Sequence, residues 1–251
     1  MRLLPIAREG IPFVLISLAP VVVIGAAGAW MPWLWWFEIF FGLLFLFVLN
    51  FFRDPEREIP VDETSIVSPA DGRVIKAGIE RDDRFLGADV LKICIFMNVF
   101  NVHVNRSPAT GAVTKVVYNP GKFFNASFDK ASLENEQNAV FLRTPQGRVI
   151  VFNQIAGLIA RRIVCHVRQG SELAKGARFG MIRFGSRVDV YLPKDSALAV
   201  KVGDKVSAGS SILARWAHKN PSGADSVKSG APAPPSRPAR DGKKTRRGAR
   251  H

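Results

Sequence analysis

The chain reads as mainly β: a β-rich α+β fold with barrel-sandwich-like hairpins, preceded by an N-terminal transmembrane helical hairpin. Three observations predict this. Two apolar stretches, 11–30 and 33–52, open the chain, and each is about the 20 residues a helix needs to cross a bilayer. From Ile59 to Ala217 short apolar runs alternate with Gly, Pro, Asn and Asp, the punctuation of strands and turns. Two segments of that region, Ser68-Pro-Ala-Asp-Gly-Arg-Val-Ile-Lys-Ala-Gly and Val200-Lys-Val-Gly-Asp-Lys-Val-Ser-Ala-Gly, are similar to each other.

The anchor comes first. Only Glu38 and Asn50 break the second apolar stretch, and Met31-Pro32 turns the chain between the two. Trp30, Trp33, Trp35 and Trp36 cluster at the turn, as an interfacial aromatic belt would. No small-residue cleavage site separates the stretches, so a signal peptide is not expected. Arg2 and Arg8 precede the hairpin, and Arg53 and Arg57 follow it. By the positive-inside rule both ends face the cytoplasm, which puts the following domain on the cytoplasmic face of the cell (inner) membrane. Pro20 leaves room for a monotopic insertion instead.

Candidate strands in the next region are 72–78, 90–97, 111–118, 139–142, 149–155, 158–167, 187–192 and 197–200. The run 90–97 is almost continuously apolar and reads as a buried strand. Residues 130–137 have helical or loop character. The two similar segments look like hairpin halves of the lipoyl-carrier type of fold. The expected division is therefore an anchor over 1–58, a folded domain over 59–217 and a tail over 218–251.

The tail has nine Lys/Arg against two Asp, about half of the chain's net charge of +14. It lacks Phe, Tyr and Trp and has almost no large aliphatics, cannot offset its ordering entropy, and is expected to be disordered. A basic tail without stacking aromatics fits anionic lipid headgroups, or plain solvation, better than nucleic acid. Cys94 and Cys165 lie in apolar runs and read as reduced, buried thiols. No Cys or His spacing suits a metal.

Four places could carry chemistry. Gly185-Ser186, ahead of Arg-Val-Asp-Val-Tyr-Leu, is either a turn before a strand or a bond that cuts itself. In the second case the Ser186 hydroxyl attacks the Gly185 carbonyl, where the absent Cβ leaves room. The ester then eliminates and hydrolyses to leave a pyruvoyl group at residue 186. His103 follows the buried strand and is either satisfied by its neighbours or the base for the Ser186 proton. Asp71, before Gly72, is either a turn residue or a carboxylate that orients a histidine. Arg106 is a carboxylate or phosphate partner, or a surface cation. Phe123 and Phe124, with Phe128, are core residues or a wedge for the acyl region of a lipid. His166 reads as structural.

In order along the chain stand Phe51-Phe-Arg-Asp-Pro-Glu-Arg, Ser68-Pro-Ala-Asp-Gly, Asn101-Val-His-Val-Asn-Arg-Ser-Pro, Gln154-Ile-Ala-Gly-Leu-Ile-Ala-Arg-Arg-Ile-Val and Gly180-Met-Ile-Arg-Phe-Gly-Ser-Arg-Val-Asp-Val-Tyr-Leu-Pro. Together they closely resemble the short bacterial and archaeal form of phosphatidylserine decarboxylase proenzymes, over about residues 5–217. The resemblance implies a pyruvoyl-dependent lyase that converts phosphatidylserine to phosphatidylethanolamine at a phospholipid membrane. It implies self-cleavage between Gly185 and Ser186 into a β chain (1–185) and an α chain (186–251) that stay together as a heterodimer. It also implies that Asp71, His103 and Ser186 meet. Longer members carry His-x-x-His where this chain has His103-x-x-Arg106, so the second position cannot shuttle a proton at neutral pH.

Two rivals remain at this level. One is a membrane-anchored, non-enzymatic barrel-sandwich adaptor or carrier with Lys205 at a hairpin tip. The other is a serine hydrolase using Ser186, although Gly-x-Ser-x-Gly is absent.

Overall fold

The computed structural model describes residues 6–124, 126, 134–158, 162–183 and 186–217. Among the described residues strand outweighs helix, 41% to 21%, so the fold is mainly β. The tail, residues 130–133, Phe128 and Gly185 lie outside the described residues.

Helices α1 (Ile11–Gly28) and α2 (Trp35–Phe51) are joined by a single 3-10 turn at Pro32–Leu34. Pro12 occupies the first turn of α1, where a missing N–H costs nothing, and Pro20 lies inside it. The helices are long and apolar enough to cross a membrane, and nearly all of their surface faces outward.

All strand pairs described are antiparallel. Eight form one curled sheet in the order β13-β2-β3-β11-β7-β6-β5-β9. They are β2 (Gly72–Asp82), β3 (Ala88–Met97), β5 (Gly111–Asn119), β6 (Gln137–Arg143), β7 (Val149–Ala156), β9 (Glu172–Leu173), β11 (Ser186–Pro193) and β13 (Lys205–Val206). Two three-stranded sheets pack with it. One joins β1 (Ser65–Val67), β14 (Ile212–Arg215) and β12 (Ala197–Leu198). The other joins β4 (Val104–Arg106), β10 (Arg178–Ile182) and β8 (Ile163–Cys165).

The core lies inside the curl. Ile93, Ile95 and Met97 of β3, Ile150 and Phe152 of β7 and Val188, Val190 and Leu192 of β11 fill it from alternate positions, as period-two strands require. The two similar segments seen in the sequence are spatial partners. Lys205 pairs with Arg73 and Val206 with Gly72, while the Gly209 amide donates to the Ser68 carbonyl at 2.8 Å.

The differences from the sequence reading have physical causes. β2 runs past Gly78 to Asp82 because its ladder with β3 continues. There the Asp82 carboxylate accepts from the Phe85 and Leu86 amides and closes the turn. In the expected strand 158–167, Leu158 lies in a bend and the described strand is only β8, whose partner β10 is short. Gln137, expected in a helix or loop, begins β6. β4 and β10 were too short and too mixed in polarity to read in advance.

Candidate active site

Ser186 is the first residue of β11, a central strand, opposite Met97 of β3 and Ala156 of β7. It is fully buried, and its Oγ donates to Met97 Sδ at 3.2 Å. A thioether is a weak acceptor, so the hydroxyl is held without being strongly engaged. Gly185, its partner in the expected cleavage, lies outside the described residues.

His103 enters β4 next to the end of β10, where the Ile182 amide reaches the His103 carbonyl at 3.4 Å. That places His103 beside the strand whose chain arrives, four residues later, at Ser186. The ring is fully buried and stacks on Phe51, the last residue of α2, with centroids 4.2 Å apart. Its Nδ1–H donates to the Asn101 carbonyl at 2.9 Å, so in this tautomer the lone pair lies on Nε2. Burial, with a smaller contribution from the charge of Arg53, lowers its pKa to about 4, against the partial opposition of the Asn101 bond. The imidazole is therefore neutral throughout the physiological range.

Asp71 is placed differently from the resemblance's implication. Its two carboxylate oxygens accept from Arg57 at 2.8 Å and from the Ala208 amide at 2.7 Å, and it makes no direct bond to His103. Its loop is nonetheless tied to the histidine's strand, because the Arg106 amide donates to the Pro69 carbonyl at 2.9 Å. The following residue must be glycine. A Cβ at Gly72 would stand 2.2 Å from the Phe96 carbonyl oxygen.

Arg106, read as a carboxylate or phosphate partner, finds its carboxylate within the protein. Its guanidinium turns into the protein and donates to the Gly176 carbonyl, the Pro55 carbonyl and Asp54 Oδ1, each within 3.1 Å. Asp54 is shared with Arg178 at 2.5 Å. Arg106 thus tethers the linker after α2 instead of facing a substrate. Every part of Phe51-Phe-Arg-Asp-Pro-Glu-Arg has such a duty. Phe52 stacks on Phe13 of α1, Arg53 donates to the Phe100 carbonyl, and Arg57 holds Asp71.

Phe123 and Phe124 are partly exposed at the same sheet end as Ser186. Asn135 links them to it, since its Nδ2 donates to the Phe124 and Ala156 carbonyls, both at 2.7 Å, and Ala156 is the β7 partner of Ser186.

Two features escaped the sequence reading. A buried polar chain runs from the Pro69 carbonyl through Asn105 and Gln154 to Asn138, with Gln154 Nε2 on Asn105 Oδ1 at 2.9 Å. Gln154 shares the inward parity of Phe152 and Ile150, and a polar residue at such a position is the signal that could have found it. On the opposite face Arg187 is buried in a two-point ion pair with Asp189, at 2.5 and 3.0 Å, and its NH2 also donates to Cys94 Sγ. Burial and then the Asp189 charge push the Cys94 thiol up, so it stays an inert thiol. Lys205, named in the carrier rival, lies within β13, paired with Arg73, so its backbone is part of the sheet.

A nucleophile elbow would place the serine between a strand and a helix, whereas Ser186 opens a strand inside a sheet. The fold and site define a mainly β protein that carries an apolar helix pair and a buried serine at the head of a central strand. The sequence profile of the phosphatidylserine decarboxylase family matches residues 44–214. The chain is 55% identical over 210 residues to the phosphatidylserine decarboxylase proenzyme of Aromatoleum aromaticum, covering 83% of this chain and 94% of the relative. It is 52% identical over the same length to that of Burkholderia pseudomallei, and 51% identical to that of Burkholderia multivorans with 95% of the relative covered. The chain belongs to the phosphatidylserine decarboxylase family, a family of carboxy-lyases.

Proposed function

We propose that this protein decarboxylates phosphatidylserine to phosphatidylethanolamine with a pyruvoyl group that it makes from Ser186 by cutting its own chain. The observation that carries the reading is the pairing of a fully buried serine at the head of β11 with a buried, neutral histidine beside the strand that leads to it.

In maturation His103 Nε2 takes the Ser186 Oγ proton as Oγ bonds to the Gly185 carbonyl carbon. The amide C–N bond breaks and the freed nitrogen takes up a proton, leaving an ester. Loss of the residue 186 α-proton expels the Gly185 carboxylate from Cβ, and water then replaces nitrogen, releasing ammonia. A histidine with a pKa near 4 is a weak base, which suits an event each chain performs once. Asp71 acts indirectly, fixing the 68–72 loop to Arg57 and Ala208, while the Pro69 carbonyl of that loop accepts from the Arg106 amide of β4.

The residues present fit a carbonyl group at position 186. Met97, Ala156 and Val188 give it dry, apolar walls, and the Asn105–Gln154 amides lie along the same inward face. When present, the group supplies an electron-withdrawing ketone that takes up the electron pair as CO₂ leaves the serine headgroup. The chain's own part is to exclude water, hold the headgroup and deliver a proton to the carbon that lost CO₂. Phe123 and Phe124 are the residues we assign to the acyl side of the lipid.

The hairpin α1–α2 spans the inner membrane with the domain 59–217 on the cytoplasmic side, and the tail 218–251 is a separate basic segment. The cut chains, 1–185 and 186–251, stay together as a heterodimer. β11 lies between β3 and β7 of the other piece, so the cut crosses an intact ladder.

A denaturing gel with intact mass of the smaller piece tests this. Two pieces, the smaller beginning with a pyruvoyl in place of serine, are expected, and Ser186→Ala is expected to stay whole and inactive. A single whole chain that still decarboxylates its lipid would overturn the reading.

A further inference from the structure

Arg183 is the first residue after β10, three residues before Ser186. Its amide donates to the Arg162 carbonyl at 3.2 Å, so two arginines stand side by side on neighbouring chain segments. Neither forms an ion pair among the described residues. The nearby carboxylate, Glu9, is taken up by His166 at 2.5 Å. Arg183 Nε is buried and has no hydrogen-bond partner. Burial and then the charge of Arg162 lower the Arg183 pKa, with Glu9 opposing, which marks a cation short of a counter-ion.

The position of the pair matters as much as its charge. The Arg183 guanidinium lies over the Phe13 ring at 5.0 Å, on the first turn of α1, where a membrane helix meets the headgroup layer. Met181, two residues earlier, packs into the same cluster with Phe52, so this side of the strand faces the anchor while Ile182 faces the core. Three residues of chain span at most ~10 Å. In phosphatidylserine only a two-carbon link separates the amine from the phosphate. A lipid whose amine reaches residue 186 therefore brings its phosphate to the level of Arg183.

We propose that Arg183 and Arg162 hold the phosphodiester of the lipid substrate. The proposal rests on the decarboxylase reading above and adds to it the group that positions the headgroup. Guanidinium recognition of phosphate is planar and two-pronged, so lysine replaces it only in part.

The test uses the full chain in neutral detergent micelles, where bilayer surface charge is absent. Arg183→Gln and Arg162→Gln are expected to cleave themselves, shown by two bands. Each should raise KM for phosphatidylserine at least about tenfold with a much smaller change in kcat, and Arg183→Lys should recover part of the loss. With an O-acylserine substrate that lacks the phosphate, the same variants should match the parent protein. An unchanged KM in a cleaved variant overturns the proposal. So does an equal loss on the phosphate-free substrate, and so does failure of both the Gln and Lys variants to cleave, which would assign the pair to maturation. If the parent protein itself does not decarboxylate, the decarboxylase reading fails instead.

Discussion

The Phe51 ring stacks on the His103 imidazole, centroids 4.2 Å apart and planes inclined by 30°. One residue ends the apolar helix pair and the other is the buried histidine proposed above as the base. Anchor and chemistry therefore share a single packing contact, inside the cluster of Ala7, Phe52, Val102, Val104 and Met181.

Phe51→Ala removes a fully buried ring and leaves His103 next to a cavity. A buried Phe→Ala change costs about 3 kcal/mol or more. The expected result is a lower melting temperature in detergent together with slower self-cleavage, because the imidazole loses its stacking surface. Cleavage at the parent rate would show that the stack does not position the ring.

His103 sets a pH dependence. Its folded-state pKa of about 4 lies below the ordinary 6.5 because the ring is buried. Between those values the unfolded chain binds a proton that the folded chain does not, so stability falls as pH drops from 6.5 towards 4. The loss at this residue reaches roughly 3 kcal/mol at the bottom of the window. Denaturant titrations from pH 8 to 4 on Ser186→Ala and on Ser186→Ala/His103→Phe should show it, with the second protein having the shallower slope. In the cleavage-competent chain, maturation should hold its rate down to about pH 5 instead of falling near 6.5.

Asp54 serves two buried or half-buried cations. Its side chain is 9% exposed against 6% for Arg106. Asp54→Asn leaves Arg106 charged, buried and without its counter-ion, an arrangement that costs about 3 kcal/mol. The expected outcome is a lower melting temperature with little change in KM for phosphatidylserine in the folded fraction. A selective rise in KM at unchanged stability would return Arg106 to the substrate-facing role.

Phe123→Ser/Phe124→Ser tests the wedge. Both rings are partly exposed, so stability should change little, while turnover on vesicles should fall several-fold more than turnover on short-chain lipid in micelles. Equal effects on both substrates would assign the rings to packing.

Much of the architecture was legible from patterning. Apolar length gave the hairpin, because a helix in a bilayer must be apolar over its whole span. A nearly continuous apolar run gave β3, and short apolar runs between turn residues gave β5, β6, β7 and β11, because each of these strands packs residues into the curl. The motif residues drew attention to Ser186, His103, Asp71 and Arg106 but not to their partners. Arg106 looked like a ligand and became a tether, because Asp54 lies 52 residues away in sequence and only folding brings it within 3.1 Å. Asp71 found Arg57 and Ala208 for the same reason. Phe51 looked like one more apolar anchor residue until the linker folded back onto His103.

By itself the sequence determined what depends on local chemistry and spacing: two bilayer-length helices, the strand periodicity, a Gly-Ser bond ahead of a strand, and a histidine after a buried one. Only the tertiary structure decided which groups face each other: the neutral state and tautomer of His103, the dry setting of Ser186, and an arginine pair that forms no ion pair among the described residues. Periodicity is written in neighbours along the chain, whereas pairing, burial and charge balance arise between segments that meet only when the sheet curls and the anchor docks.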